Sequence, residues 1–403
     1  MFINDSIHGF LRIDQLQQDL ISLPEIQRLQ WIKQLGLSFL CYPGAVHSRI
    51  SHSLGVSYIA SKIAKHLDFP SEDIQLIKAA GLLHDIGHLP FSHALEPLLE
   101  EDHMKLSEDI ITGKLIMPIK GSGKIPEVLE KHNISPKEVG DLVTCKFKRN
   151  NALQKIIFGD CDADQMDYLV RDAYFCGVPH GNIDIDRIIY TTALSNDGNQ
   201  LFLLEKGIEA IEEMLVARDH MYSSIYTHKT GRIAEAMLLR ACLTIKDKLK
   251  DFNFMIDAQL MSAMLNAGGF ASDIAERLIT RRLYKTAFVI LSHEEALKSK
   301  LIKLMDNMNV KQLENELCKR CSLESGKIIV DFPNSTLELT EPRLRTINIT
   351  VLTKNHEQYP LHILSELTNT LLNKKAVQII LGIYTPLEHR DIVKTEFKKM
   401  LGV

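Results

Sequence analysis

Three histidines and an aspartate crowd one short stretch, Ala80-Gly-Leu-Leu-His84-Asp85-Ile-Gly-His88-Leu-Pro-Phe-Ser-His93. An adjacent His-Asp pair closing an apolar helical run can offer an imidazole nitrogen and a carboxylate oxygen to one divalent cation. That mixture suits a hydrolytic metal centre better than a purely structural zinc site. Two further stretches carry similar chemistry: Pro43-Gly-Ala-Val-His47-Ser-Arg49-Ile-Ser-His52 upstream, and Gly159-Asp160-Cys-Asp162-Ala-Asp164-Gln-Met-Asp167-Tyr168-Leu-Val-Arg171-Asp172 downstream.

The elements that must position these residues read mainly as helices. Apolar residues at helical spacing predict helices over 25–35, 53–67 and 74–83, the last with Ser71 as N-cap and acids in its first turn. Further helices are expected over 126–132, 162–174 and 208–229. Asn196-Asp-Gly-Asn199 reads as a hairpin turn joining strands 188–194 and 201–204. Past residue 280 the pattern changes. Strands are expected over 284–291, 328–332, 346–352 and 376–383, with helices over 294–305, 310–318 and 361–372 between them. The expected fold is therefore mainly α: a helical domain over 1–260 and a smaller α+β module over 261–403.

Composition narrows the function classes. A net charge of −4 gives no global basic signature for nucleic acid, although a local cationic pocket remains compatible with it. The N-terminus lacks the sections of a secretory signal, and no uncharged apolar run reaches the roughly 20 residues of a membrane span. Seven scattered cysteines fit reduced thiols. The expectation is a soluble cytoplasmic protein with no membrane partner. Cys318-Lys-Arg-Cys321 has no second pair to complete a metal site and reads as chance on a polar helix.

A histidine, then His-Asp, then an isolated Asp, in that order, resembles the HD phosphohydrolases. The likeness extends through Asn4-Asp5-Ser-Ile-His8-Gly9, Gln27-Arg28 to Gly36, both histidine blocks, Asp164 to Asp172, and Arg218 to Lys229. Over residues 1–235 the chain is similar to the branch containing the SAM-and-HD-domain deoxynucleotide triphosphohydrolases and their bacterial relatives. The resemblance implies His52, His84, Asp85 and Asp164 as ligands of one divalent metal ion, with Mn, Fe, Co, Ni, Zn and Mg all open. Two nitrogens and two carboxylates cancel a dication and leave octahedral positions for water and a phosphate oxygen. It also implies His103 with Glu96 as an acid/base pair near the α-phosphate, and His88 and His93 in the same pocket.

Substrate contacts carried over by the resemblance are Arg49, Arg218 and Lys229 to phosphates, and Gln34, Leu35, Tyr168 and Asp172 around the sugar. Tyr222 and Tyr226, at i and i+4, would flank the base. On a continuous helix the eleven-residue spacing of Arg218 and Lys229 would put them on one face. The implied reaction is water attack at the α-phosphorus of a deoxynucleoside triphosphate, giving deoxynucleoside and inorganic triphosphate, by a homodimer or homotetramer. Gln165 departs from the pattern, standing where relatives place a phosphate-binding cation. Met1, Ser22 and Gln30 likewise stand where an activator nucleotide site would need Lys, Asp and Arg. Alternatives are an HD phosphohydrolase acting on monophosphates, cyclic nucleotides or nucleic-acid ends, or a non-catalytic nucleotide-binding regulator. Asp162 is expected to cap a helix, His47 to be a structural neighbour, and Arg171 to form a surface pair.

Overall fold

The computed structural model describes residues 1–99, 101–291, 293–332, 347–374 and 379–403. The fold is mainly α, with three small sheets among the described residues. Two compact units divide the chain. One comprises Met1–Met221, Asp251–Leu260 and Leu344–Asn373, the other Tyr222–Lys250, Met261–Arg343 and Lys374–Val403.

In the first unit the helices Arg49–His66 and Ser71–Leu83 pack together and are buried along most of their length. Val56, Ile59, Ala60 and Ile63 of the first and Ile77, Ala80, Leu82 and Leu83 of the second are almost inaccessible. Such near-continuous burial is the mark of a central helix rather than a surface one. Ser71 is the first helical residue, not the cap. Pro70, extended at ψ 151°, takes the cap position without a side-chain bond. A hairpin, Phe2–Asp5 with Gly9–Arg12, carries Asp5 at the end of its first strand. Thr192–Leu194 and Leu201–Leu204 form the expected hairpin, but the residues before it coil into the helix Ile185–Tyr190, capped by Asp184. Its sheet is completed from far along the chain by Thr350–Leu352, parallel to Leu201–Leu204, and by Gln358–Pro360. The start of the strand expected at 346 lies outside the described residues.

Two expected helices break for identifiable reasons. The one expected over 25–35 ends in a short turn at Trp31, because Ile32 is extended. The following residues pair instead with the segment bearing His47 and Arg49: Gln34 N donates to His47 O at 2.9 Å and Arg49 N to Ile32 O at 3.0 Å. The one expected over 208–229 ends at Met221. Thr227 bonds back to Tyr222 O through both its amide and its hydroxyl (3.0 and 2.9 Å), making a wide turn over Tyr222–Tyr226. His228 then caps a new helix, Lys229–Ile245. Arg218 and Lys229 therefore do not share a helix face.

The second unit is built on an antiparallel sheet, with Ile379–Thr385 between Lys285–Leu291 and Ile329–Asp331. Residues 376–378 of the expected last strand lie outside the described residues. Helices Val310–Arg320 and Arg390–Leu401 cover a core containing Leu313, Leu317, Ile383 and Phe397. Cys318 and Cys321 belong to this core rather than to a polar face, and burial pushes both thiols up. A raised thiol is a poor nucleophile and metal ligand. In the first unit, the helix expected over 361–372 is split in two by Ser365, extended, whose side chain caps Glu366–Leu372.

Candidate active site

Four side chains from three elements converge inside the first unit. His52 lies one turn into Arg49–His66, His84 and Asp85 follow Ser71–Leu83, and Asp164 sits in the first turn of Ala163–Cys176. His52 Nε2 is 3.0 Å from Asp164 Oδ1 and 3.9 Å from Asp85 Oδ2. His84 Nε2 is 3.2 Å from Asp85 Oδ1 and 3.9 Å from Asp164 Oδ1.

Each imidazole is held from behind. His84 Nδ1 is 2.9 Å from the Gly81 carbonyl, and His52 Nδ1 is 2.8 Å from Asp167 Oδ2. A proton on each Nδ1 leaves both Nε2 lone pairs for the common centre, the arrangement in which metal-ligating histidines are usually braced. His84 Nε2 is moreover a buried nitrogen with no hydrogen-bond partner. The donor set therefore fits a divalent cation, and His52, His84 and Asp164 form a group able to hold one. Burial opposes charge on His52, yet Asp164, Asp167 and Asp85 raise it to about 10. These acids call for a cation at the centre, whether proton or metal.

Asp167 is the hub of a buried network that gave no role from sequence. It receives His8 Nε2 at 2.7 Å and both Nε and Nη2 of Arg171 at 2.8 and 2.9 Å. Arg171 also grips Asp5 at 2.9 and 3.2 Å, and Asp5 accepts the amides of Ile7 and His8. Arg171, expected as a surface pair, is fully buried. Gly55 of Arg49–His66 makes room for this network, since a Cβ there would stand 1.8 Å from Asp167 Oδ1. Gly55→Ala is therefore expected to destabilise the protein by about 1–3 kcal/mol through overpacking. Chemical denaturation checks this; a variant as stable as the parent would contradict the packing described.

A second group adjoins the first through Asp85, whose Oδ1 is 3.2 Å from His88 Nε2. The His88 and His103 rings stack at 3.8 Å. Glu96 Oε1 lies 2.5 Å from His103 Nδ1 and 2.9 Å from His93 Nδ1, and these contacts hold its carboxyl well below the usual range despite burial. Gly87 lets the helix His103–Ile111 approach: its amide donates to Ser107 Oγ at 2.9 Å, and Ser107 donates to His84 O at 2.8 Å. A Cβ on Gly87 would stand 2.4 Å from His103 O. Phe91 and Ser92, both in the left-handed region, turn the chain towards His93. Asp257 stabilises the turn by accepting Phe91 N at 2.7 Å, and Arg28 binds His88 O at 2.7 Å. Neither supporting residue was anticipated, and Asp257 lies far away in sequence.

The remaining expected contacts divide. Arg49 is buried, donating to Asp85 Oδ2 at 2.5 Å and to Ser92 Oγ at 2.8 Å. Its charge helps hold the Asp85 carboxyl well below the usual range, against burial. Gln34 is buried, and Leu35 and Tyr168 are half-buried. Asp172 pairs with His47 Nε2 at 2.8 Å, and His47 stacks on Phe175, which makes His47 the structural neighbour expected. Asp162 caps its helix by accepting Gln165 N at 2.7 Å. Burial and the nearby Asp164 push it up to about 7, and Arg218 acts in the opposite sense. The Gln165 side chain turns inward, donating to Gly159 O and Asp162 at 2.8 and 2.9 Å. Tyr222, Tyr226 and Lys229 belong to the second unit; the two tyrosine rings are 6.4 Å apart, and Lys229 is exposed.

Residues 49–172 match the HD domain, and residues 183–403 match the HD associated region. The chain is an HD-domain protein. HD domains bind divalent metals, in keeping with the histidine and aspartate group described above. This HD-domain protein is 40% identical over 289 residues to the uncharacterized protein MJ1154 of Methanocaldococcus jannaschii, a match covering 70% of the chain and 58% of that relative. It is 31% identical over 282 residues to the human deoxynucleoside triphosphate triphosphohydrolase SAMHD1, covering 62% of the chain and 45% of that protein. The chain thus matches only about half the length of these curated relatives. Among solved structures, a hypothetical protein from Aquifex aeolicus superposes with a TM-score of 0.76 at 28% identity, covering 99% of this chain and 100% of that one. No helix among the described residues is long and apolar enough to cross a membrane.

Proposed function

We propose that this HD-domain protein cleaves deoxynucleoside triphosphates into deoxynucleoside and inorganic triphosphate. One observation carries the reading: the His52/His84/Asp85/Asp164 centre adjoins, through Asp85 and His88, a histidine paired with a carboxylate. A divalent ion held by the four ligands would supply a water of lowered pKa and polarise a phosphoryl oxygen. Glu96, 2.5 Å from His103 Nδ1, orients the imidazole so that His103 can give a proton to the departing 5′-oxygen as the P–O bond breaks. Arg49 brings positive charge to Asp85, and Arg218 brings it to the segment bearing Asp164. Likeness to SAMHD1 supports the triphosphate substrate. Homo-oligomeric assembly belongs to the same proposal.

The inward turn of Gln165 favours a second reading, an HD phosphohydrolase of less highly charged phosphates, because one expected phosphate cation is missing. Hydrolysis of each dNTP, the matching NTPs and mononucleotides, across Mg, Mn, Co and Ni with products separated, decides between them. Triphosphate released from dNTPs but not from NTPs is the expected result. Release of orthophosphate or a mononucleotide would replace the first reading by the second.

A further inference from the structure

Beyond the four-ligand centre, the described residues contain one other group able to hold a metal: His88, His93, Glu96 and His103, whose ligand atoms all lie within 4.8 Å of one another. We propose that His93 Nδ1, Glu96 Oε1 and His103 Nδ1 form a second, zinc-type site whose occupancy silences the proton-transfer pair. Two imidazole nitrogens already converge on one carboxylate oxygen, at 2.9 and 2.5 Å. Zinc–ligand bonds of roughly 2.0–2.1 Å with tetrahedral angles set ligand atoms about 3.3 Å apart. An ion therefore needs these contacts to open by less than about 1 Å. Two nitrogens and one oxygen select a borderline cation such as Zn²⁺ over Mg²⁺, which prefers oxygen and keeps its waters.

Accessibility favours exchange with solvent. The His93 side chain is 63% exposed, on the short turn Ser92–Leu98, while Glu96 and His103 are partly covered. His88 does not complete the set as it stands. Its ring is stacked within 20° of the His103 plane, so the two cannot aim in-plane lone pairs at one ion. The fourth position is left to water or a phosphate oxygen, as in three-ligand zinc centres. An ion bound to His103 Nδ1 and Glu96 removes the carboxylate from the imidazole and so uncouples the pair. That consequence rests on the proton-transfer role proposed above; the metal site itself does not.

The test titrates chelator-stripped full-length protein with zinc and counts bound equivalents by calorimetry and elemental analysis. The parent should bind two equivalents, and His93→Ala and Asp164→Ala one each, from different sites. Because His93 is exposed, its replacement spares the fold; Glu96→Gln gives an independent second variant. Zinc should also inhibit Mg-supported turnover, with at least tenfold weaker inhibition in His93→Ala relative to that variant's own zinc-free rate. A parent that saturates at one equivalent lost in Asp164→Ala overturns the proposal, as does His93→Ala that still binds two. One equivalent lost in His93→Ala but kept in Asp164→Ala would uphold this site while showing that the four-ligand centre does not take zinc.

Discussion

Asp85→Ala is expected to abolish divalent-metal binding at the four-ligand centre and to lower turnover by roughly 10³-fold. Asp85 stands between both histidine groups, 3.2 Å from His84 Nε2 and 3.2 Å from His88 Nε2. The electrophilic assistance of a bound ion is worth several kcal/mol, and each factor of ten in rate corresponds to about 1.4 kcal/mol. Removing the carboxylate also strands the Arg49 guanidinium in a buried position, which weakens the fold. Asp85→Asn separates the two effects, since it keeps the shape and an acceptor for Arg49 while removing the charge. Both variants should lose metal by elemental analysis, and the asparagine variant should melt closer to the parent. Metal content and turnover within twofold of the parent would rule out Asp85 as a ligand.

Arg171→Met should cost about 3–5 kcal/mol of stability, the usual penalty for breaking a buried ionic cluster by removing one partner. Asp5 and Asp167 would be left as two carboxylates with no guanidinium between them. Against a total stability of roughly 5–15 kcal/mol this is a large share. Metal affinity should fall as well, by about 10–100-fold, because Asp167 is the group that orients His52. Urea denaturation with calorimetric metal titration measures both. A stability loss below about 1 kcal/mol would show that the network does not hold the site.

The blocks that carry the candidate ligands could be picked out through the family resemblance, because each block is short and local. His84-Asp85 at a helix end and Asp162 capping the helix of Asp164 follow from spacing and capping rules, whereas the helix bearing His52 starts at Arg49, ahead of the expected residue 53. What joins the blocks was not legible. The Asp5–Arg171 contact spans 166 positions, and the Phe91–Asp257 bond spans another 166. No local pattern encodes such pairings. The break at Met221 was hidden because Tyr222-Ser-Ser-Ile-Tyr226 has no glycine or proline. It depends on Thr227 competing for a backbone carbonyl. Likewise, Gln165 could be recognised as a missing cation, but its inward orientation depends on the Gly159 carbonyl and Asp162.

The parallel pairing of Leu203 and Leu204 with Val351 and Leu352 has a consequence for the order of events during synthesis. The strand Leu201–Leu204 leaves the ribosome roughly 150 residues before its partner, a wait of about 8–30 s at 5–20 residues per second. Throughout that interval the nascent chain presents an open strand edge, while most of the second unit is being made. Unpaired edges recruit other strands. A ribosome stalled between the two strands would therefore carry an aggregation-prone intermediate, and translation speed across residues 205–349 becomes a determinant of yield.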